Sequence, residues 1–262
     1  MNEKSQPVPT CRACRNGKEL DFEFSMAFQP IVDLRDNSIF AYEALVRGCD
    51  GSGAAAILGK VNEQNRYAFD QACRVKAVEL ASLLQIPCFV SINFLPNAVY
   101  QAATCIRATL EAARRFGFPT ERLIFEITEN EELVDKEHLK SIIREYRLKG
   151  FKTAIDDFGA GYAGLNLLAE FQPDIIKLDM TLVRSICTDP VRQAIVQGIL
   201  GVCKALNIEV IAEGVETNAE LQQLLAMGIN YYQGYLFAKP EYETLPKVSW
   251  PTPTPGHRAS ST

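Results

Sequence analysis

Histidine is nearly missing from this chain: two occur in 262 residues, His138 inside a helical pattern and His257 near the C-terminus. A His-ligated zinc centre, a Ser/His/Asp triad and a Cys/His dyad would each have to be built from those two, which argues against all three. Long apolar runs are absent as well. None approaches the ~20 residues that span a bilayer, and the N-terminus has no apolar signal-peptide core, so the expectation is a cytoplasmic protein without a membrane anchor. There is no basic excess either. Lys plus Arg is 27 against 32 for Asp plus Glu, a net charge of −5, which argues against a nucleic acid polymer as partner. What is present is an ordinary globular composition, 47% hydrophobic and 23% charged. A chain of this length buries roughly three quarters of its unfolded surface and needs no disulfide staple. The chemistry is left to carboxylates, amides, lysine and thiols.

Eight cysteines in such a chain read as reduced thiols rather than four bridges. Cys73, Cys88, Cys105, Cys187 and Cys203 fall in apolar or helical stretches, where a free thiol packs as a small hydrophobe. Cys11 and Cys14 form a Cys-x-x-Cys, half of a zinc knuckle. No second such pair exists, so a structural zinc there needs Cys49, Cys73 or another distant residue and ranks below the plain-thiol reading.

Residues 1–21 are polar and read as a leader. Residues 241–262 end in Pro-Thr-Pro-Thr-Pro-Gly and Ser-Ser-Thr and read as a disordered tail. The span 22–240 is one unit that alternates β-rich runs with helical patterns, which points to a parallel α/β architecture. The expected strands are Met26–Asp33, Ile39–Arg47, Cys88–Asn93, Leu123–Ile127, Lys152–Asp157, Asp174–Leu178, Glu209–Glu213 and Tyr231–Gly234. Helices are expected over Glu63–Leu84, Ala98–Phe116, Lys136–Lys149, Ala163–Glu170, Leu182–Leu206 and Asn218–Met227. Thr217 with Glu220 makes a capping box, and Gly117, Gly150 and Gly228 stop helices. Only the first two strands are joined by a hairpin signal, Leu34–Ser38, which makes them antiparallel. The rest has the count of an eight-stranded barrel.

One event recurs along the chain: an apolar β run ends on a polar or ionisable residue. The series is Glu43, Asn93, Glu126, Asp156 with Asp157, Lys177, Glu213 and Gln233. In a barrel these ends converge on the C-terminal mouth, where active sites are built. Strand ends are polar for the bland reason that they meet loops, which explains any one position but not the whole series with its five carboxylates. Five carboxylates on one rim cannot all ionise with only Lys177 to offset them. Divalent cations resolve the conflict, and an all-oxygen donor set selects hard ions such as Mg²⁺ or Mn²⁺ over zinc. The adjacent pair Asp156–Asp157 suits a two-metal site of the kind that clamps both oxygens of a phosphate ester. The Gly-rich stretch Phe158–Gly164 that follows reads as a flap over the site.

The chain resembles the EAL-domain family of cyclic di-GMP phosphodiesterases over about residues 24 to 240. The resemblance rests on an ordered series of motifs: Phe28-Gln29-Pro30-Ile31-Val32, Glu43-Ala44-Leu45 followed by Val46-Arg47, Ser91-Ile92-Asn93, Phe125-Glu126-Ile127-Thr128-Glu129, Asp156-Asp157-Phe158-Gly159, Lys177-Leu178-Asp179, Ala212-Glu213-Gly214-Val215-Glu216 and Gln233-Gly234. It implies an α/β fold, a modified (β/α)₈ TIM barrel with an antiparallel first strand pair. It assigns Glu43, Asn93, Glu126, Asp156, Asp157 and Glu213 to two divalent cations, Mg²⁺ or Mn²⁺. Lys177 would hold the attacking water, and Gln233 would contact that water or the metal shell. Gln29 and Arg47 would grip substrate, and Glu129 and Glu216 would support the Gly-rich loop and the metal ligands. The flap departs from the family pattern, with Ala160-Gly161-Tyr162-Ala163-Gly164 in place of Thr-Gly-Tyr-Ser-Ser.

The expected function is therefore metal-dependent opening of cyclic di-GMP to linear pGpG. A cyclic di-GMP receptor that signals to a partner without turnover is the alternative from another class, and a barrel enzyme for a different phosphodiester is the third reading. The resemblance also implies a homodimer. Regulation would come from dimerisation, a regulatory protein partner, or the Cys11/Cys14 pair.

Overall fold

The computed structural model describes residues 20–96, 105–128, 136–161 and 164–251. Its strands are β1 (Phe24–Asp33), β2 (Ser38–Gly48), β3 (Phe89–Asn93), β4 (Leu123–Thr128), β5 (Lys152–Phe158), β6 (Ile175–Leu178), β7 (Glu209–Ala212), β8 (Tyr231–Tyr232) and β9 (Glu241–Tyr242). The order β2-β3-β4-β5-β6-β7-β8-β1 closes through the β1–β2 pairing into an eight-stranded barrel. From β2 to β8 neighbours run parallel, while β1 is antiparallel to both β2 and β8, as the hairpin signal predicts for the first pair.

Between the strands lie α1 (Ala54–Leu58), α2 (Arg66–Leu83), α3 (Arg107–Phe116), α4 (Lys136–Leu148), α5 (Gly164–Glu170), α6 (Met180–Val183), α7 (Pro190–Leu206) and α8 (Asn218–Ala226). Their buried faces and the outer barrel faces form the main apolar core. Helix stops follow the expected chemistry: α3 ends at Gly117, whose φ of 73° puts it in the left-handed region that glycine enters freely. The capping box at the start of α8 is complete, with Thr217 accepting from the Glu220 amide and Glu220 accepting from the Thr217 amide.

Two sequence expectations are corrected. The helix expected over Leu182–Leu206 is two, because the chain turns through Ser185 at φ 60° and restarts at Asp189, whose carboxylate caps the amides of Val191 and Arg192 ahead of Pro190. The stretch from 241, expected to be structureless, is not so over its described part: β9 pairs antiparallel with Ala27 and Phe28 of β1, and the Ser249 amide donates to the Phe237 carbonyl, while residues 252–262 lie outside the described residues. A two-residue strand carries too little pattern to be read ahead of a proline-rich end.

The barrel interior positions the site. A small apolar cluster of Ile31, Ala41, Ile124, Ala154, Ile175, Ile211 and Tyr231 plugs its lower half. Side chains on a strand share a face every second residue. Two positions further along the parallel strands stand Glu43, Glu126, Asp156, Lys177, Glu213 and Gln233; on reversed β1, Gln29 stands two positions before Ile31. The polar layer therefore rests on an apolar floor, against which Phe40 and Phe89 also pack.

Candidate active site

Lys177 sits at the centre of that polar layer, fully buried. Its Nζ lies 2.8 Å from Glu213 Oε1, 2.9 Å from Glu126 Oε2, 2.9 Å from Asp156 Oδ1 and 3.3 Å from Glu43 Oε2. Burial disfavours the ammonium, yet the facing carboxylates of Asp156, Glu126, Glu213 and Glu43 override it and hold Lys177 well above the usual lysine range. Asn93 donates from Nδ2 to Glu43 Oε1 at 3.1 Å, and Ser91 donates to Glu126 Oε1. Gln233 donates from Nε2 to Glu43 Oε2 at 2.7 Å and to Gln29 Oε1 at 3.2 Å, while Gln29 donates to the Ala238 carbonyl at 3.1 Å. Gln233 Oε1 is buried and accepts no hydrogen bond.

Adjacent residues on a strand point to opposite faces, so Asp156 and Asp157 could not both reach the mouth from a regular β5. The register between β5 and β6 slips between Ile155 and Phe158, and Asp157 takes a φ of 54°. Both carboxylates consequently line one cleft. Asp and Asn tolerate this left-handed conformation better than most residues. Two residues on, Gly159 has a φ of 100°, and a Cβ there would stand 2.4 Å from Leu182 Cδ1, so only glycine fits the start of the Gly-rich segment.

The cleft, about 290 Å³, is lined by Gln29, Glu43, Asp156, Asp157, Glu213 and Gln233 with Leu45, Asp179, Met180, Gly214, Glu216, Gly234 and Tyr235. Two carboxylate trios have oxygens within 4.8 Å of one another, Glu43/Glu126/Asp156 and Asp156/Asp157/Glu213, and they share Asp156. Adjacent all-oxygen clusters joined by one bridging carboxylate fit a pair of hard divalent cations.

The protonation pattern shows the same crowding. Burial first, then the attraction of Lys177 working against the repulsion of Glu43 and Asp156, leaves Glu126 at about 8. Burial and Asp156 push Asp157 up to about 6, and burial and Asp156 hold Glu213 well above the carboxylate range. A carboxyl group whose pKa is higher folded than unfolded stabilises the fold below its unfolded value and loses that contribution as pH rises through the folded one. We therefore expect the metal-free protein to lose stability from about pH 5 to about pH 8.5, by roughly 5 °C or more in unfolding midpoint. A divalent cation held by the ionised carboxylates, tested with Mn²⁺, would restore it most at the alkaline end. Calorimetric scans of wild type and Glu126→Gln check this; a wild-type midpoint that is flat with pH, or a slope unaltered in Glu126→Gln, would contradict it.

Other expected site residues lie further out. Arg47 is on the same strand face as Glu43 and Leu45 but outside the cleft lining, and its Nη1 donates to the Val46 carbonyl at 2.7 Å. Glu216 lines the cleft rim and accepts from Arg184 at 2.9 Å. Glu129 and the Cys11/Cys14 pair lie outside the described residues. Cys49, Cys73, Cys88, Cys105, Cys187 and Cys203 are free thiols. Asp179 was not foreseen as a cleft residue. It caps α6 through the Thr181 amide and lines the cleft wall, and its signal was its position two residues after Lys177 at a strand exit.

Comparisons with known proteins agree with this geometry. The family description "EAL domain" fits residues 12–240. The blue light- and temperature-regulated antirepressor BluF of Escherichia coli K12 is 35% identical over 226 residues, 86% of this chain and 56% of BluF. The cyclic di-GMP phosphodiesterase PdeR of the same organism is 41% identical over 137 residues, 52% of this chain and 21% of PdeR. This chain thus spans only part of those relatives. Among solved structures, a standalone versatile EAL protein from Vibrio cholerae O395, in its cyclic di-GMP-bound form, superposes with a TM-score of 0.86 at 55% identity, covering 88% of this chain and 98% of that one. A manganese and cyclic di-GMP complex of Klebsiella pneumoniae BlrP1 gives a TM-score of 0.83 at 34% identity, covering 90% and 61%.

Proposed function

This chain belongs to the EAL-domain family, and from that membership and the chemistry of its barrel mouth we propose that it hydrolyses cyclic di-GMP to linear pGpG with two divalent cations, Mg²⁺ or Mn²⁺. The observation that carries the reading is the pair of carboxylate trios joined through Asp156 around a buried lysine. A receptor that only bound the nucleotide would have no use for so crowded a set of ionisable groups.

Glu43, Glu126, Asp156, Asp157 and Glu213, with the Asn93 amide, would hold the cations. The chemistry such cations would supply there is positive charge toward the phosphate oxygens and a more acidic water near phosphorus. Lys177 stays protonated and sets a fixed positive charge beside the position where negative charge grows in the transition state. Gln233 keeps Glu43 oriented through Nε2, and its Oε1 remains available to accept a hydrogen bond from water or substrate. Gln29 spends both ends of its amide on Gln233 and Ala238, so it shapes the wall on which a guanine or phosphate would rest. Arg47, two residues beyond Leu45, spends Nη1 on the Val46 carbonyl and would meet a phosphate through its other guanidinium donors.

Purified protein incubated with cyclic di-GMP and Mg²⁺ or Mn²⁺ should yield pGpG by chromatography. Binding without a linear product under either metal would overturn the enzymatic reading in favour of the receptor. No described helix is long and apolar enough to cross a membrane. A homodimer is part of the proposal: α7 exposes Val191, Ile195, Val202 and Leu206, an outward apolar face that a second copy would cover. Ile195→Glu should shift the protein to the monomer position in size-exclusion chromatography, whereas a wild type already eluting as a monomer would contradict the pairing.

A further inference from the structure

A second buried ion pair lies outside the mouth, between the barrel and its helices. Asp70 and Arg74 occupy successive turns of α2, both side chains essentially sealed from solvent, with Asp70 Oδ2 2.5 Å from Arg74 Nη2. Arg74 also reaches the Asp70 carbonyl through Nε at 3.4 Å and the Tyr146 hydroxyl of α4 through Nη1 at 3.4 Å. A buried pair of this kind is weak evidence for stability, since apolar residues of the same volume often serve as well. The informative contact is the other oxygen: Asp70 Oδ1 accepts from the Leu95 amide at 3.0 Å.

Leu95 stands two residues after Asn93, at the exit of β3. The preceding amide, Phe94, donates to the Glu126 carbonyl of β4 at 3.0 Å. The backbone that carries Asn93 is thus fixed from both sides, by β4 through Phe94 and by α2 through Leu95. Asn93 in turn donates to Glu43, which also receives Gln233 and faces Lys177. Arg74 holds the Asp70 carboxylate in place so that its free oxygen faces the strand exit, and the aromatic cluster of Phe94, Phe125 and Tyr146 fills the space around the clamp.

We propose that Asp70, held by Arg74, is a positioning residue for the metal centre: by accepting the Leu95 amide it sets the direction of the Asn93 side chain and, through it, of Glu43. This rests on the two-cation reading of the mouth given above. Partners that orient metal ligands typically change metal affinity by about 10–100-fold when removed.

Two double substitutions separate the clamp from the ion pair. Asp70→Asn with Arg74→Met removes both charges but keeps an oxygen for the Leu95 amide. Asp70→Leu with Arg74→Met removes the charges and the acceptor. Mn²⁺ titrations by calorimetry, at a temperature well below both unfolding midpoints, should give near wild-type affinity for the first and at least about tenfold weaker binding for the second. Leu95→Pro deletes the donor from the other side while leaving Asp70 and Arg74 intact, and should weaken Mn²⁺ binding to the same degree. It serves as the test should the leucine variant fail to fold. Equal Mn²⁺ affinities in the two double variants, or unaltered affinity in Leu95→Pro, would overturn the positioning role while leaving the site's assignment untouched. A wild-type protein that binds no Mn²⁺ would overturn the metal reading and the positioning role with it.

Discussion

Asp156→Asn should abolish both cation sites at once and lower cyclic di-GMP hydrolysis by ~10³-fold or more, because the charge that cations supply at a phosphoryl centre is worth several kcal/mol. Asp156 is the only residue common to the two carboxylate trios, and among the described residues no other side chain takes part in both. Asp157→Asn, by contrast, removes a ligand from one trio and leaves Glu43, Glu126 and Asp156 intact, so it should retain one Mn²⁺ by calorimetry. Asp156→Asn has an opposite effect on the metal-free fold. Asp156 helps raise Asp157, Glu126 and Glu213 by repulsion, so its neutral replacement brings all three back toward the ordinary carboxylate range. Metal-free Asp156→Asn should therefore be at least as stable as wild type above pH 7. A variant that keeps a tenth of the activity, or two Mn²⁺ per chain, would show that the trios are not joined through this residue.

Lys177→Met should be the most destabilising single substitution in the barrel interior when metal is absent and the pH is alkaline. Removing one partner of a buried pair costs about 3–5 kcal/mol, and here the partner removed faces four carboxylates. The lysine stays charged throughout the working range, since its folded pKa lies above its unfolded one and its contribution disappears only at more alkaline pH still. The pH dependence of the loss therefore comes from the carboxylates. At pH 5.5 several take up protons and tolerate the methionine, whereas at pH 8.5 they must ionise against one another. Urea titrations without metal should show the larger deficit at pH 8.5, and saturating Mn²⁺ should recover most of the stability but not the turnover, expected to remain ~10²-fold or more below wild type. A deficit under ~1 kcal/mol at pH 8.5 would mean that water, not Lys177, balances the cluster.

The layout of the site was legible in the sequence because a barrel converts a one-dimensional pattern into a ring. Apart from Asn93, which follows Ser91, each polar strand end sits two residues beyond an apolar one, as Glu126 beyond Ile124 or Lys177 beyond Ile175, and closure brings those pairs into two layers. What the pattern could not carry was contact. Nothing in the spacing of Lys177 says that four carboxylates meet its ammonium, or that Gln29 is tied to Gln233 from the far end of the chain. Local irregularities were hidden as well. The slip in β5 that aims Asp156 and Asp157 the same way depends on a register with β6, and the break at Ser185 lies in a stretch whose apolar spacing continues through it. Asp70 was invisible for a related reason: an aspartate four residues before an arginine on a helix looks like a surface pair, and only packing shows it to be sealed inside.

The reversal of β1 has a bearing on how such a barrel could be connected to other parts of a longer protein. In an all-parallel barrel the chain enters at the floor, a full strand length from the chemistry. Here the first strand starts opposite Gly48, at the far end of β2, and descends, so the backbone arrives at the level of the cleft rim. The last strand returns to the same place, with Tyr242 beside Ala27 and Ser25 bonded to Glu243. Incoming and outgoing chain are therefore fastened side by side to the strand that carries Gln29. A pull, a twist or a docked neighbour acting on either of these two strands would act on the wall of the cleft itself.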